Sequence, residues 1–479
     1  MPDKQIIKIS WNTFSCLLLA ILSFLQLLRW QLFPQFMDMH YHLLIAREFL
    51  DHAGYCGWDY LQYAPVGRPH IYPPLFHVLL ALLLKAGLGK IFLAKLFEAI
   101  TPSLFLLPLW FFVKKNYSPR LAFFVLLISL SSFSFFLSLI NNVPATFALI
   151  LGLFALDRLL QGSYRQAAFS LILCFYTHIG VSWFISLTFF LFALFDPGKR
   201  RQGLWLWVLA LIVSAPVIYK QISASAVISL SGINERFFCE FKPVEYILGL
   251  YGLFIIFKRE KKSRIFAYLF LASFIFLFYP YRLFSAQGFL PIIFLAGITL
   301  NFIYERLKGV KKKIYLFCAI TVILIFSPTF LMEGKSKAGK SKIKLYVCDS
   351  ALMDLAIVGR NDRVASESLW FADEYLLTAD LIRRHTQPDD IIYSDLDYLG
   401  VCLANLSGRA TANALLPEVP ASGRFDPFVV SKILLISYDF NRGQLQDIVR
   451  RYNFVKIGEN GIFAVYFSPS CRVKAAIPG

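Results

Sequence analysis

The chain has 479 residues, 57% of them hydrophobic and 16% charged, with a mean hydropathy of +0.60. A wholly water-soluble chain of this length would need far more polar side chain to cover its surface, so lipid is the expected second solvent. The formal net charge of +18 sits mostly in short runs between apolar blocks, which reads as topology-setting charge and excludes a nucleic-acid partner.

Apolar blocks lie at 9–33, 72–88, 91–113, 120–140, 143–160, 167–178, 179–195, 203–219, 243–257, 265–280, 286–304 and 313–331. Most have the length that helices need to cross roughly 30 Å of hydrocarbon. Lys4 and Lys8 before the first block imitate a signal peptide, but the apolar run is long and lacks a small-residue cleavage site, so a retained first helix is expected. The 72–88 block is short, opens with Tyr72-Pro73-Pro74 and holds His77 and Lys85, so it is read as not crossing.

The remaining blocks then order themselves with the N-terminus inside. Lys114/Lys115/Arg120, Lys199/Arg200/Arg201, the run from Lys258 to Arg264 and the run from Arg306 to Lys313 all become cytoplasmic, as the positive-inside rule asks. The expectation is about eleven spanning helices, a long first external loop at 34–90 with a partly embedded helix, and a transmembrane domain over 1–334. The block 167–195 is taken as two short helices. Apart from Lys95 and Glu98, which neutralise each other at i, i+3, the spans read as intact.

Beyond the polar linker Lys335–Lys340, residues 335–479 read as a small non-cytoplasmic α/β domain. Helices are predicted over 370–386 and 443–452, with strands at 390–394, 432–438, 454–457 and 462–467. No GxGxxG, P-loop or GxSxG occurs, so nucleotide binding and serine hydrolysis find no support. The eight cysteines form no CxxC pair, so no zinc or redox motif is suggested.

On this topology the unusual polar residues fall on the outer side. The first loop carries Asp38-Met39-His40-Tyr41-His42, Arg47-Glu48, Asp59 and Arg68; other outer ends carry Asn141-Asn142, Tyr176-Thr177-His178 and Tyr281-Arg282. Asp38 and His42 are spaced i, i+4 and could simply pair. Asp59 reads as loop structure and His178 as a packing residue. Arg282 could only anchor the interface, yet it is also the sole basic residue of its short loop, where a lipid phosphate would need a cation.

Asp38-x-x-Tyr41-His42 followed by Tyr72-Pro73-Pro74-Leu75, then Tyr281-Arg282-Leu283-Phe284, then Asp395-Leu396-Asp397-Tyr398-Leu399-Gly400 with Ser407-Gly408-Arg409-Ala410-Thr411, resembles the GT-C glycosyltransferases. The likeness is nearest to the oligosaccharyltransferase catalytic subunits of archaea and bacteria, and it implies a prokaryotic cell membrane. It implies a sugar or oligosaccharide donor on a polyprenyl phosphate or diphosphate, with Asp38 as metal ligand or general base and Arg282 on the donor phosphate. Tyr41, His42, His178, Asp397 and Tyr398 would line the substrate. The cofactor implied is Mg2+ or Mn2+ at Asp38, or none if Asp38 serves as the base.

The sequence departs from that family in two places. The outer end of the 120–140 block reads Asn141-Asn142 with no carboxylate, for which Glu235 or Glu240 could substitute, and Asp395-Leu396 stands where a Trp pair is expected. Both departures weaken peptide-Asn glycosylation and leave a lipid, polysaccharide or hydroxyl acceptor open. Two other classes stay in view: a transporter or lipid flippase, and an inactive GT-C relative acting as a scaffold.

Overall fold

The computed structural model describes residues 10–28, 30, 34, 37–195, 198–225, 238–259, 263–277, 279–333, 342–351, 353, 372–415, 419–438, 440–460 and 463–475. The Lys335–Lys340 linker and Glu235 lie outside them. The chain is mostly helical and divides into two compact units. Met1–Arg29, Ala99–Ile218 and Asn234–Arg360 make the first; Trp30–Glu98, Tyr219–Ile233 and Asn361–Gly479 make the second.

In the first unit, Trp11–Leu28, Val143–Leu160 and the Pro280–Arg306 stretch are long and apolar enough to cross a membrane, as is Lys90–Asn116, whose start belongs to the second unit. These are four among the described residues, or six if each of two bent pairs counts as one span. The 167–195 stretch forms two helices, Tyr164–Phe175 and Ile179–Leu194. Helix Pro243–Arg259 packs closely on Leu290–Arg306: a Cβ on Gly252 would stand 2.0 Å from the carbonyl oxygen of Leu295, so only glycine admits this approach.

Two blocks that read as intact spans are broken. Helices Pro119–Ser131 and Phe133–Asn141 meet at 82°, and Arg200–Val213 meets the helix beginning at Ala215 at 62°. The second bend has a local cause, since Pro216 offers no N–H and restricts the residue before it. The first has none in its own sequence beyond Ser131-Ser132. Ser132 caps the second helix by accepting the N–H of Phe135. Lys242 Nζ donates to the carbonyls of Ser131 and Leu324, each at 2.8 Å, and Ser131 Oγ donates to Glu245. A backbone break away from water persists only where its polar groups find such partners.

The first unit also contains an antiparallel sheet that the sequence reading did not foresee, ordered Phe238–Phe241, Thr329–Glu333, Lys342–Tyr346. Its strands are only four or five residues long and come from distant parts of the chain.

The second unit holds a five-stranded mixed sheet in the order Ala410–Thr411, Ile391–Ser394, Ile433–Ser437, Phe463–Phe467, Val455–Glu459. The first two pairings are parallel and the last two antiparallel. Strands thus form at each of the four predicted positions. The central strand Ile433–Ser437 is buried along its length, and Leu434, Ile436 and Phe454 pack with Leu445 and Ile448 of the amphipathic helix Arg442–Arg451. The predicted 370–386 helix runs Ala372–His385.

The first loop is part of this unit. Its helix Leu75–Lys85 has 11 residues, which at 1.5 Å per residue is about 17 Å, little more than half a hydrocarbon core. The loop backbone continues the sheet edge: Ala64 N–H donates to Thr411 and Thr411 N–H to Leu61, at 3.0 and 2.8 Å. Helix Asp397–Ser407 packs beside the first-loop helix Met37–Asp51, and its C-terminal carbonyls collect cations. Lys90 donates to Asn405 O, Arg383 to Leu406 O and Arg409 to Ser407 O. Positive groups at that end complement the helix dipole.

Candidate functional site

In the second unit, Asp38 sits in the first turn of helix Met37–Asp51 and is half-buried. Tyr41 and His42, three and four residues on, share its helical face and are buried. His42 Nδ1 lies 2.9 Å from Nε2 of His77, a residue contributed by the short apolar helix. Tyr72 and Phe76 meet the His42 ring edge-on at 5.2 and 5.4 Å between centroids. Pro73-Pro74 starts that helix and so places His77 one turn in, against His42. Burial holds the Tyr41 hydroxyl well above its ordinary range, and it lowers His40 to about 4, Lys90 adding to the effect. His40 Nδ1 and Asn405 Nδ2 are 3.0 Å apart, which ties the Asp38 helix to helix Asp397–Ser407.

Six residues beyond His42 on the same helix, Glu48 accepts the backbone N–H groups of Tyr60 and Leu61 at 2.7 and 2.6 Å. Asp59 is fully buried and accepts from Gln62 and from Arg68 Nε at 3.2 Å. Arg68 also donates to the carbonyls of Leu415 and Val419. Burial, with Asp59 nearby, raises the Glu48 carboxyl well above the usual carboxylate range. These residues were visible in the sequence only as polar positions of the loop. The structure makes them a buried lock that fixes the loop carrying Asp38.

Asp397 begins helix Asp397–Ser407, is exposed, and accepts from Asn413 Nδ2 at 2.9 Å; Tyr398 beside it is half-buried. The Asn413 amide also accepts from Ser394 N–H and donates to Ser394 O, at 2.7 and 2.8 Å. It thereby works as an extra strand segment. Nothing in the local sequence marks Asn413 for this task.

In the first unit, Arg282 lies on the short helix Pro280–Phe284 with its guanidinium 5.0 Å from the centroid of the Tyr279 ring. Its Nη1 is 3.5 Å from Nε2 of His178, which caps helix Ile179–Leu194 by accepting Val181 N–H at Nδ1, 3.2 Å away. A neutral imidazole that accepts at Nδ1 carries its proton at Nε2. Two donors, one cationic, therefore stand side by side, an arrangement suited to an oxyanion. A Cβ on Gly180 would lie 3.0 Å from Arg282 Nη1, so the absence of a side chain there makes room for the guanidinium. Ser285, three residues after Arg282, is bound from both sides by Glu240: it accepts Glu240 N–H and donates to Glu240 O, at 2.9 and 2.7 Å. The Glu240 carboxylate accepts from Ser134.

Of the sequence-predicted residues, Arg282 and His178 come together, and Tyr41 and His42 join one aromatic cluster. Asp38, Tyr41, His42, Asp397 and Tyr398 belong to the second unit, Arg282 and His178 to the first. Among the described residues, no three His, Cys, Asp or Glu side chains are placed to hold a metal ion, Asp38 included. Among the described residues, therefore, no cluster of three such side chains is assembled for Mg2+ or Mn2+.

No protein-family model matches this sequence, and no curated protein sequence is similar to it. Solved structures are similar. The archaeal oligosaccharyltransferase AglB from Archaeoglobus fulgidus, in complex with an inhibitory peptide and a dolichol-phosphate, superposes with a TM-score of 0.61 at 12% identity, over 96% of this chain and 74% of its own. This chain has the GT-C glycosyltransferase fold. ArnT from Cupriavidus metallidurans bound to undecaprenyl phosphate shares the GT-C fold with it at a TM-score of 0.56 and 13% identity, over 97% of this chain and 98% of its own. So does the mycobacterial arabinofuranosyltransferase AftD, at 0.57 and 12%, over 96% of this chain and 42% of its own.

Proposed function

We propose that the protein is a glycosyltransferase. It moves a sugar or oligosaccharide from a polyprenyl phosphate or diphosphate to an acceptor at the outer membrane face. The observation that carries this reading is the paired donor set of Arg282 and His178, beside a fold whose similar structures include two printed as complexes with a polyprenyl phosphate, dolichol-phosphate in AglB and undecaprenyl phosphate in ArnT.

The chemistry follows from what such a donor requires. Breaking the bond between the anomeric carbon and the phosphate oxygen leaves positive charge on the sugar and a full negative charge on the departing phosphate. A fixed guanidinium with a neighbouring imidazole N–H stabilises that phosphate more than it stabilises the intact donor, which is the condition for catalysis. Asp38, the half-buried carboxylate of the first-loop helix, is the base that takes the proton from the acceptor. The buried Glu48, Asp59 and Arg68 set positions that helix. A lipid donor keeps its prenyl chain in the bilayer and its phosphate at the interface, which accounts for chemistry beside spanning helices.

The test is sugar transfer from a polyprenyl-linked donor by membranes carrying the protein or its Asp38→Asn variant. Loss of transfer with the protein still folded is expected; unchanged turnover would remove Asp38 from the mechanism.

A further inference from the structure

Two recesses lie on helices that carry none of the residues assigned to the proposed reaction. Helices Lys90–Asn116 and Val143–Leu160 leave between them an apolar groove of about 360 Å³, walled by Leu107, Pro108, Phe111, Leu153 and Phe154 and ending at Arg158. Leu107, Phe111 and Phe154 expose about half of their surface there. A neighbouring recess of about 310 Å³ shares Phe154 and Arg158 and continues to Phe169 and Arg165 on helix Tyr164–Phe175. Together they form a mostly apolar open face across three helices, with two arginines at one end.

The charge balance at that end decides what can occupy it. Asp157 is the carboxylate lining the groove, and it is already engaged: Lys115 pairs with it at 2.9 Å, and Asn116 and Gln161 donate to it at 2.8 and 2.9 Å. Arg158 reaches the same carboxylate at 3.3 Å, so one negative charge is shared by two cations. Arg165 is exposed and makes no ion pair among the described residues. Three cations, Lys115, Arg158 and Arg165, therefore face one carboxylate, and two positive charges remain in excess at the helix ends that carry Lys114 and Lys115. An apolar groove that ends on an excess of positive charge at a membrane boundary is the chemistry of an anionic phospholipid site.

We propose that this groove binds the acyl chain of an anionic phospholipid whose phosphate is held by Arg158 and Arg165. It uses none of the residues assigned to the proposed reaction and does not depend on that reaction. On the positive-inside reading it faces the cytoplasmic leaflet.

The experiment uses the purified full-length protein in detergent, titrated with phosphatidylglycerol, phosphatidylcholine or inorganic phosphate, with bound lipid read by native mass spectrometry. Phosphatidylglycerol is expected to bind more tightly than phosphatidylcholine, with little competition from inorganic phosphate. Its affinity is expected to fall about fivefold in Arg165→Gln and more in the Arg158→Gln/Arg165→Gln double variant. Arg165 is exposed, so the single variant leaves the fold intact. A filled-groove variant at a half-exposed wall residue, Leu107→Trp, tests the acyl-chain half by lowering the affinity for both lipids. Equal binding of the two lipids, unchanged phosphatidylglycerol affinity in Arg165→Gln, or displacement by inorganic phosphate at equal concentration would each overturn the proposal.

Discussion

The guanidinium of Arg282 and the imidazole of His178 meet with 3.5 Å between Nη1 and Nε2, while the other ring nitrogen of His178 is committed to the N–H of Val181. The geometry turns a helix cap into a second donor beside the arginine. His178→Asn keeps a capping oxygen and removes the Nε2 donor. The expected outcome is an unchanged thermal midpoint and a kcat about tenfold lower, the scale of one hydrogen bond to a charged group made in full only to the departing phosphate. Steady-state kinetics together with a melting curve check both parts.

Gly180 offers a second handle on the same pair. A methyl group there would press on Arg282 Nη1 and on Phe276, with 3.0 and 3.1 Å between the added carbon and each. Because the guanidinium is the movable partner, Gly180→Ala is expected to displace it without unfolding the protein. Misplacement of a catalytic group by about 1 Å costs on the order of a hundredfold in rate. A tenfold or larger fall in kcat with an unaltered melting temperature is the predicted result.

How much of this was readable beforehand depends on the range of the interactions. The strands at Ile391–Ser394 and Ile433–Ser437 and the helix Arg442–Arg451 follow local alternation and amphipathic spacing, and the sequence reading located them. The break before His178 follows from Tyr176-Thr177-His178 between two apolar runs. The 82° break at Ser132 was not readable, because it is stabilised by Lys242 and Glu245 more than a hundred residues later. Arg282 was nominated by being the sole cation of its loop, but its pairing with His178 joins residues 104 positions apart. His77 looked like an oddity in an apolar block until its contact with His42 gave it a place.

The lock on the first loop has a stability consequence. Arg68 and Asp59 are almost wholly buried, with side-chain exposures of 3% and 1%, and the arginine also serves two distant carbonyls. Arg68→Ala leaves a buried carboxylate without its countercharge, which costs about 3–5 kcal/mol. A large drop in apparent melting temperature in detergent is expected, with loss of protease protection across residues 52–74.

Glu48 gives that lock a pH dependence of defined sign. Its carboxyl is raised well above the ordinary value of 4.5 by burial and by Asp59. The folded protein therefore holds this proton more tightly than the unfolded chain does. The resulting stability is fully present below the ordinary Glu range and is lost as pH rises through the raised folded value. Glu48→Gln keeps an oxygen for the N–H groups of Tyr60 and Leu61. It is expected to melt higher than the parent at pH 8 and to show little difference near pH 4, in melting curves across that range.

Cleavage of a sugar from a polyprenyl-linked phosphate is tested most directly by release of the lipid product. Purified protein would be incubated with an acceptor mixture and a donor labelled in its prenyl chain, as the phosphate and separately as the diphosphate. Free polyprenyl phosphate or diphosphate would be followed by chromatography. Steady release by the parent protein is expected, with a fall of about a hundredfold or more in Asp38→Asn and Arg282→Gln. Release that is absent with both donors, or undiminished in both variants, would contradict it.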